Sequence, residues 1–120
     1  MNIITTYAPP PRPSIKRIQD TVTNVFSIGP KDLTGPSRKR HIAAARHAGM
    51  YLARVEGGLS YPKVARAFGR KDHTTAMHAC NSAIFDHLAR DADFASKFVE
   101  AHERLTTPRA ANDVRQKATP

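Results

Sequence analysis

The chain has 120 residues, 40% of them hydrophobic, and its 19 Lys and Arg against 10 Asp and Glu leave a formal net charge of +9. That length suits one small domain and excludes a two-domain enzyme or a nucleotide-driven motor, and no Gly-rich phosphate loop of the Walker type occurs. No apolar run of about 18 residues exists, and Met1–Tyr7 is too short and uncharged for a secretory signal, so the expected compartment is the cytoplasm.

Pro9, Pro10, Pro11 and Pro13 forbid a helix at the start and predict a disordered, extended leader over residues 1–13. From Ser14, a natural N-cap, Ile15, Ile18, Val22, Val25 and Phe26 form a helical stripe that stops before Gly29-Pro30. Lys31-Asp32-Leu33 reads as a short helical turn, broken by Thr34-Gly35-Pro36. Residues 39–56 carry two adjacent stripes, Ile42, Ala45, Gly49 and Leu52 beside Ala44, Ala48, Tyr51 and Val55. A helix with so much Ala and Gly on its faces must be packed closely on two sides, so it is expected at the centre of the fold.

Gly57-Gly58 ends that helix, and Ser60 caps a short one with Tyr61, Val64, Ala65 and Phe68 at i, i+3, i+4, i+7. After Gly69-Arg70-Lys71, Asp72 caps another helix, whose expected buried stripe is Met77, Cys80, Ile84 and Leu88. Short helix, Gly-containing turn and second helix together read as a helix-turn-helix. Asp93 is expected to open a last helix carrying Phe94, Phe98, Ala101 and Leu105, and residues 106–120 read as a disordered tail. The prediction is an all-α, compact multi-helix domain over residues 14–105. The single cysteine, Cys80, has no intramolecular partner and reads as a small buried apolar residue.

Residues 1–30 carry +2, 31–85 carry +7, 86–105 carry −2 and 106–120 carry +2. Charge gathered in the middle of the chain suits a polyanion, most simply nucleic acid, whereas a solvated basic face with no partner is the bland alternative. Six histidines raise a metal site, but no pair has i, i+4 spacing with a carboxylate helper, and His73 and His78 diverge by over 100° on one helix. No metal and no cofactor is expected. Asp72-His73-Thr74-Thr75 also resembles an acid, a base and a nucleophile, yet neighbours at a helix start cannot converge on one reacting atom, so no catalysis is expected.

At the start of the second helix of a helix-turn-helix the same four residues suit base edges in the major groove. His73 can donate or accept, Thr74 and Thr75 offer hydroxyl and methyl groups, and Asp72 can accept from cytosine; His78 is assigned with them. Their alternative is simple helix capping. Arg38 and Arg40, flanking Lys39, can reach a minor groove. Lys39, Arg46, Lys63, Arg70 and Lys71 are assigned to phosphates, with Arg66 beside them.

Arg38-x-Arg40-x-Ile42-x-x-x-Arg46 with Met50-Tyr51-Leu52, Ser60-Tyr61-Pro62-x-Val64-Ala65-x-x-Phe68-Gly69, and Asp72-His73-Thr74-Thr75-Ala76-Met77-His78-Ala79-Cys80 closely resemble the C-terminal DNA-binding domain of the bacterial replication initiator DnaA. Ile18-Gln19-x-Thr21-Val22 looks like the start of that domain, so the resemblance spans about residues 14–105. It implies monomeric binding of double-stranded DNA at a short asymmetric element, the DnaA box. It also implies Arg38 in the minor groove, Arg46 on phosphate, and Asp72, His73, Thr74 and Thr75 near bases.

The family usually has Gln where His47 stands and Gly-Gly-Arg where Gly69-Arg70-Lys71 stands. A 13-residue leader leaves no room for the family's ATPase module. The expectation is therefore a nucleoid-associated protein that regulates replication initiation by occupying sites without ATP, in competition with full-length DnaA. A transcriptional regulator at promoter boxes is one alternative. An RNA-binding or adaptor protein using the same basic surface is the other, and a small hydrolase built on His73 fails on geometry.

Overall fold

Ser14 starts the first helix in the computed structural model, which describes residues 11–106. Its hydroxyl accepts from the Arg17 N–H at 3.2 Å, and α1 (Ile15–Phe26) buries Ile18, Val22, Val25 and Phe26. Ser27 closes the helix in the left-handed region at φ 57°, which turns the chain toward Gly29-Pro30. The short helix α2 (Pro30–Thr34) follows and buries Leu33.

The helix α3 (Arg40–Val55) is the hub, packed against α1 and α2 on one side and against the later helices on the other. Its Ala and Gly content is what permits this, because small side chains let neighbouring helices approach. Gly49 is the sharpest case: a Cβ there would lie 2.6 Å from Cε1 of Phe68, a fully buried ring. The chain then turns at Gly58, φ +69°, where Arg54 lies over the Tyr61 ring at 4.3 Å and also donates to the Leu59 carbonyl. That cation–π contact ties the end of α3 to the start of α4 (Tyr61–Ala67).

A continuous helical segment follows: α5 (His73–His78), a π-helical turn (Ala79–Ala83) and α6 (Ile84–Arg90). The sequence pattern predicts an uninterrupted stripe from Met77 to Leu88, and here the structure differs. The wider turn rotates the first part of the segment relative to the second, so Ala76 is buried and Met77 is 37% exposed. Ala79, Cys80 and Ala83 then pack on α3, with the Cys80 thiol donating weakly to the Met50 carbonyl at 3.7 Å. Burial pushes that thiol up to about 11, so it stays protonated.

The last helix, α7 (Ala92–Thr106), closes the core with Phe94, Ala101 and Leu105. Its start differs from expectation by two residues: Asp91, not Asp93, accepts from the Phe94 N–H at 3.0 Å, and Asp93 pairs instead with Lys97. Among the described residues the fold is all-helical, as the sequence implies. The expected leader and tail lie outside the described residues, save residues 11–13 and Thr106, and Thr106 ends α7.

Gly49→Ala should destabilise the domain by roughly 1–3 kcal/mol, because the fully buried Phe68 ring would have to shift to admit the Cβ. Paired denaturant titrations check this, with Phe68→Leu in the same chain expected to restore part of the loss.

Candidate nucleic-acid interface

Helix α4, a turn at residues 68–72 and helix α5 form the helix-turn-helix. The Ser60 hydroxyl accepts from the Lys63 N–H at 3.4 Å, and the Arg70 N–H returns to the Ala65 carbonyl at 2.8 Å. Gly69 turns the chain at φ +75° and sits so tightly on α2 that a Cβ would fall 1.9 Å from the Thr34 carbonyl oxygen. No other residue meets both conditions at this position.

Asp72 starts α5 by accepting from the Thr74 N–H at 2.9 Å. Hydrogen bonds from Thr74 hold its carboxyl below the usual range, so it is an anion with spare acceptor capacity. His73 and Thr74 are exposed and Thr75 is half-buried, so the four residues grouped by sequence do share one turn on the surface. His78 departs from them. Although exposed, its ring meets His47 edge-on, with centroids 6.4 Å apart, on the side toward α3.

Arg38, Lys39 and Arg40 are all exposed, at the end of the loop into α3 and on its first turn. Lys63, Arg66 and Lys71 are exposed on α4 and the turn. Arg46 and Arg70, expected on phosphates, both donate to backbone carbonyls near the end of α2. Arg46 is 6% exposed; its Nε donates to the Leu33 carbonyl at 2.8 Å and its Nη2 to Asp32 and Gly35, each at 3.0 Å. Arg70 reaches the same Gly35 carbonyl.

The physical reason lies in α2, whose five residues are too few to pair their own carbonyls and which runs into extended backbone at Gly35, leaving carbonyls in need of donors. An arginine fork supplies several at once. Burial, and then the proximity of Arg70, lower the Arg46 pKa from its ordinary value.

The histidines hold the feature that sequence spacing missed. His47 of α3 and His87 of α6, 40 positions apart, share a hydrogen bond at 3.0 Å, with His78 against His47 and Phe94 against His87. Burial, aided by His87, His78, Arg46 and Arg70, lowers His47 to about 4 and keeps it neutral near pH 7. The available signal was the unusual His at position 47. These rings do not form a metal centre: among the described residues no group of three or more His, Cys, Asp or Glu side chains is arranged to hold an ion. No described helix is long and apolar enough to cross a membrane.

A family model described as the bacterial dnaA protein helix-turn-helix matches residues 15–83. Similar relatives are the chromosomal replication initiator proteins DnaA of Lactococcus lactis subsp. cremoris, 45% identical over 80 residues, and of Lactobacillus delbrueckii subsp. bulgaricus, 38% identical over 91 residues. These alignments cover 67% and 76% of the chain but 17% and 20% of the relatives. The DnaA of Acinetobacter baumannii is 44% identical over 71 residues, covering 59% of the chain and 15% of that protein.

The His47 environment sets a pH dependence. Unfolding returns the ring to its ordinary 6.5, so below that pH the unfolded chain takes up a proton that the folded chain resists until about 4. The His47 contribution to stability is thus complete above pH 6.5 and is lost between 6.5 and 4, about 2 kcal/mol for a ring that keeps part of its hydration. His47→Gln should remove that share of the decline, read from denaturation midpoints at pH 7.5, 5.5 and 4.

Proposed function

The chain belongs to the family of bacterial DnaA helix-turn-helix domains, and from that premise we propose that it binds double-stranded DNA at DnaA-box-like sites as a monomer. Residues 14–105 make up the binding domain on this reading. One observation carries it: Asp72, His73, Thr74 and Thr75 stand together at the exposed start of the second helix of a helix-turn-helix, flanked by the exposed Lys63, Arg66 and Lys71. Side chains at that place enter the major groove and read base edges.

Arg38 and Arg40, on the loop and first turn of α3, enter the neighbouring minor groove, where a narrow cleft concentrates negative potential. Lys39, Lys63, Arg66 and Lys71 contact phosphates. Arg46 drops out of the phosphate set because its Nε and Nη2 are engaged by carbonyls. His78 keeps at most a place at the edge of the site. The biological effect is occupancy: in the cytoplasm, on the nucleoid, the protein regulates replication initiation by competing with full-length DnaA for shared boxes.

Three measurements test this. With about four phosphate contacts, log K should fall with log salt at a slope of about −4. Thr75→Ala or His73→Ala should cost roughly 1–3 kcal/mol on box duplex and little on scrambled duplex, whereas Lys63→Ala should weaken both. Equal affinity of the unaltered protein for the two duplexes rejects specific binding. In an origin-unwinding assay driven by full-length DnaA, added protein should reduce unwinding over the concentrations at which it fills boxes; undiminished unwinding at full occupancy would leave promoter regulation as the better account.

A further inference from the structure

The joint between α2 and α3 is held from three directions, two of them from the helix-turn-helix. Arg46 reaches up from α3 to the carbonyls of Asp32, Leu33 and Gly35, and Arg70 reaches across from the turn to the same Gly35 carbonyl. Gly69, also in the turn, lies directly against the Thr34 carbonyl. Two guanidinium groups converge here on one carbonyl although they repel each other. Two like charges near one partly buried point are costly, and Arg46 already serves the Gly35 carbonyl without Arg70.

What lies beyond the joint gives the arrangement a use. Gly35 is followed by Pro36, Ser37 and then Arg38-Lys39-Arg40, so the pinned carbonyl is three residues from the first arginine of the basic loop. The far end of that loop is fixed as well, because Lys39 is the N-cap residue of α3 and α3 is seated on Phe68 through Gly49. The loop is therefore anchored at both ends to the body that carries α5.

We infer that Arg46 and Arg70 are positioning residues that fix the basic loop relative to α5, so that the protein reads the minor and major grooves as a single rigid gauge of base-pair spacing. This rests on the proposed DNA reading and adds what that reading does not contain: a specificity for distance along the duplex. Inserting one base pair moves the two contacted stretches apart by about 3.4 Å and rotates them by about 35°. A rigid pair of reading elements cannot follow that change, whereas a loosely tethered loop can.

The test uses the full chain and a duplex that it selects from a random pool, with one base pair then inserted at each successive step. For the unaltered protein, at least one internal insertion should weaken binding about tenfold or more, the loss of one groove's base contacts. In Arg70→Ala that penalty should shrink to about threefold or less, with the salt slope unchanged. Arg70→Lys, which keeps the charge but not the fork, should fall between the two. Arg46→Lys should act like Arg70→Ala if its circular dichroism shows a folded chain; if it does not fold, the Arg70 pair decides alone.

An insertion penalty in Arg70→Ala equal to that of the unaltered protein overturns the inference. With a salt slope shallower by about one, that same result assigns Arg70 to a phosphate instead. Selection that enriches no sequence overturns the DNA reading, and this inference falls with it.

Discussion

The buried guanidinium of Arg46 is the constraint on which the half of the fold carrying the helix-turn-helix depends. Taking a cation out of water costs several kcal/mol, and that cost is recovered only where charge-assisted hydrogen bonds are short and well placed. Three carbonyls at 2.8 to 3.0 Å provide them. Those carbonyls belong to the end of a five-residue helix that would otherwise leave them unpaired, so each side of the contact removes the other's penalty. Once the joint is shaped this way, the turn of the helix-turn-helix has one place to sit, with Gly69 on the Thr34 carbonyl.

The same logic separates part of the basic residues into structural and free groups. Arg17, Arg46, Arg70 and Arg104 donate to carbonyl groups of distant segments or to side chains across the domain, and Arg54 donates to the Leu59 carbonyl five residues on. The ammonium groups of Lys39, Lys63 and Lys71 make no ion pair or hydrogen bond among the described residues, and the three side chains stand in solvent. A planar fork with several donors suits fixed joints, whereas a single ammonium on a flexible stem suits a phosphate whose position varies along a duplex. The middle of the chain is thus less positive as a free surface than its +7 suggests, because part of that charge is structural.

Three helix starts were legible because capping is local: Ser14, Ser60 and Asp72 each satisfy an N–H within three residues. The π-helical turn was not, since it comes from fitting Ala79, Cys80 and Ala83 onto α3, and the Met77–Leu88 pattern reads equally well without it. Asp91 and Asp93 are both good caps by residue type, and residue type alone does not choose between them. In the candidate site the adjacent residues 72–75 were readable as a group, while His47 with His87 and Arg46 with residues 32–35 are contacts across sequence that no periodicity encodes.

On the reading proposed here, recognition by one copy of the chain raises a problem that symmetric dimers solve differently. A two-fold dimer measures its site by the spacing of two identical recognition helices. A monomer has one such helix, and its few side chains at base edges give limited discrimination against competing DNA. A second reading element adds discrimination only if its position relative to the first is set by the fold, since a free loop would settle on whatever minor groove lies within reach. The Arg46 and Arg70 joint meets that requirement within a single small core, using carbonyls that α2 leaves unpaired. The brevity of α2 is then part of the recognition device: a longer helix there would pair those carbonyls internally and leave the loop without its anchor.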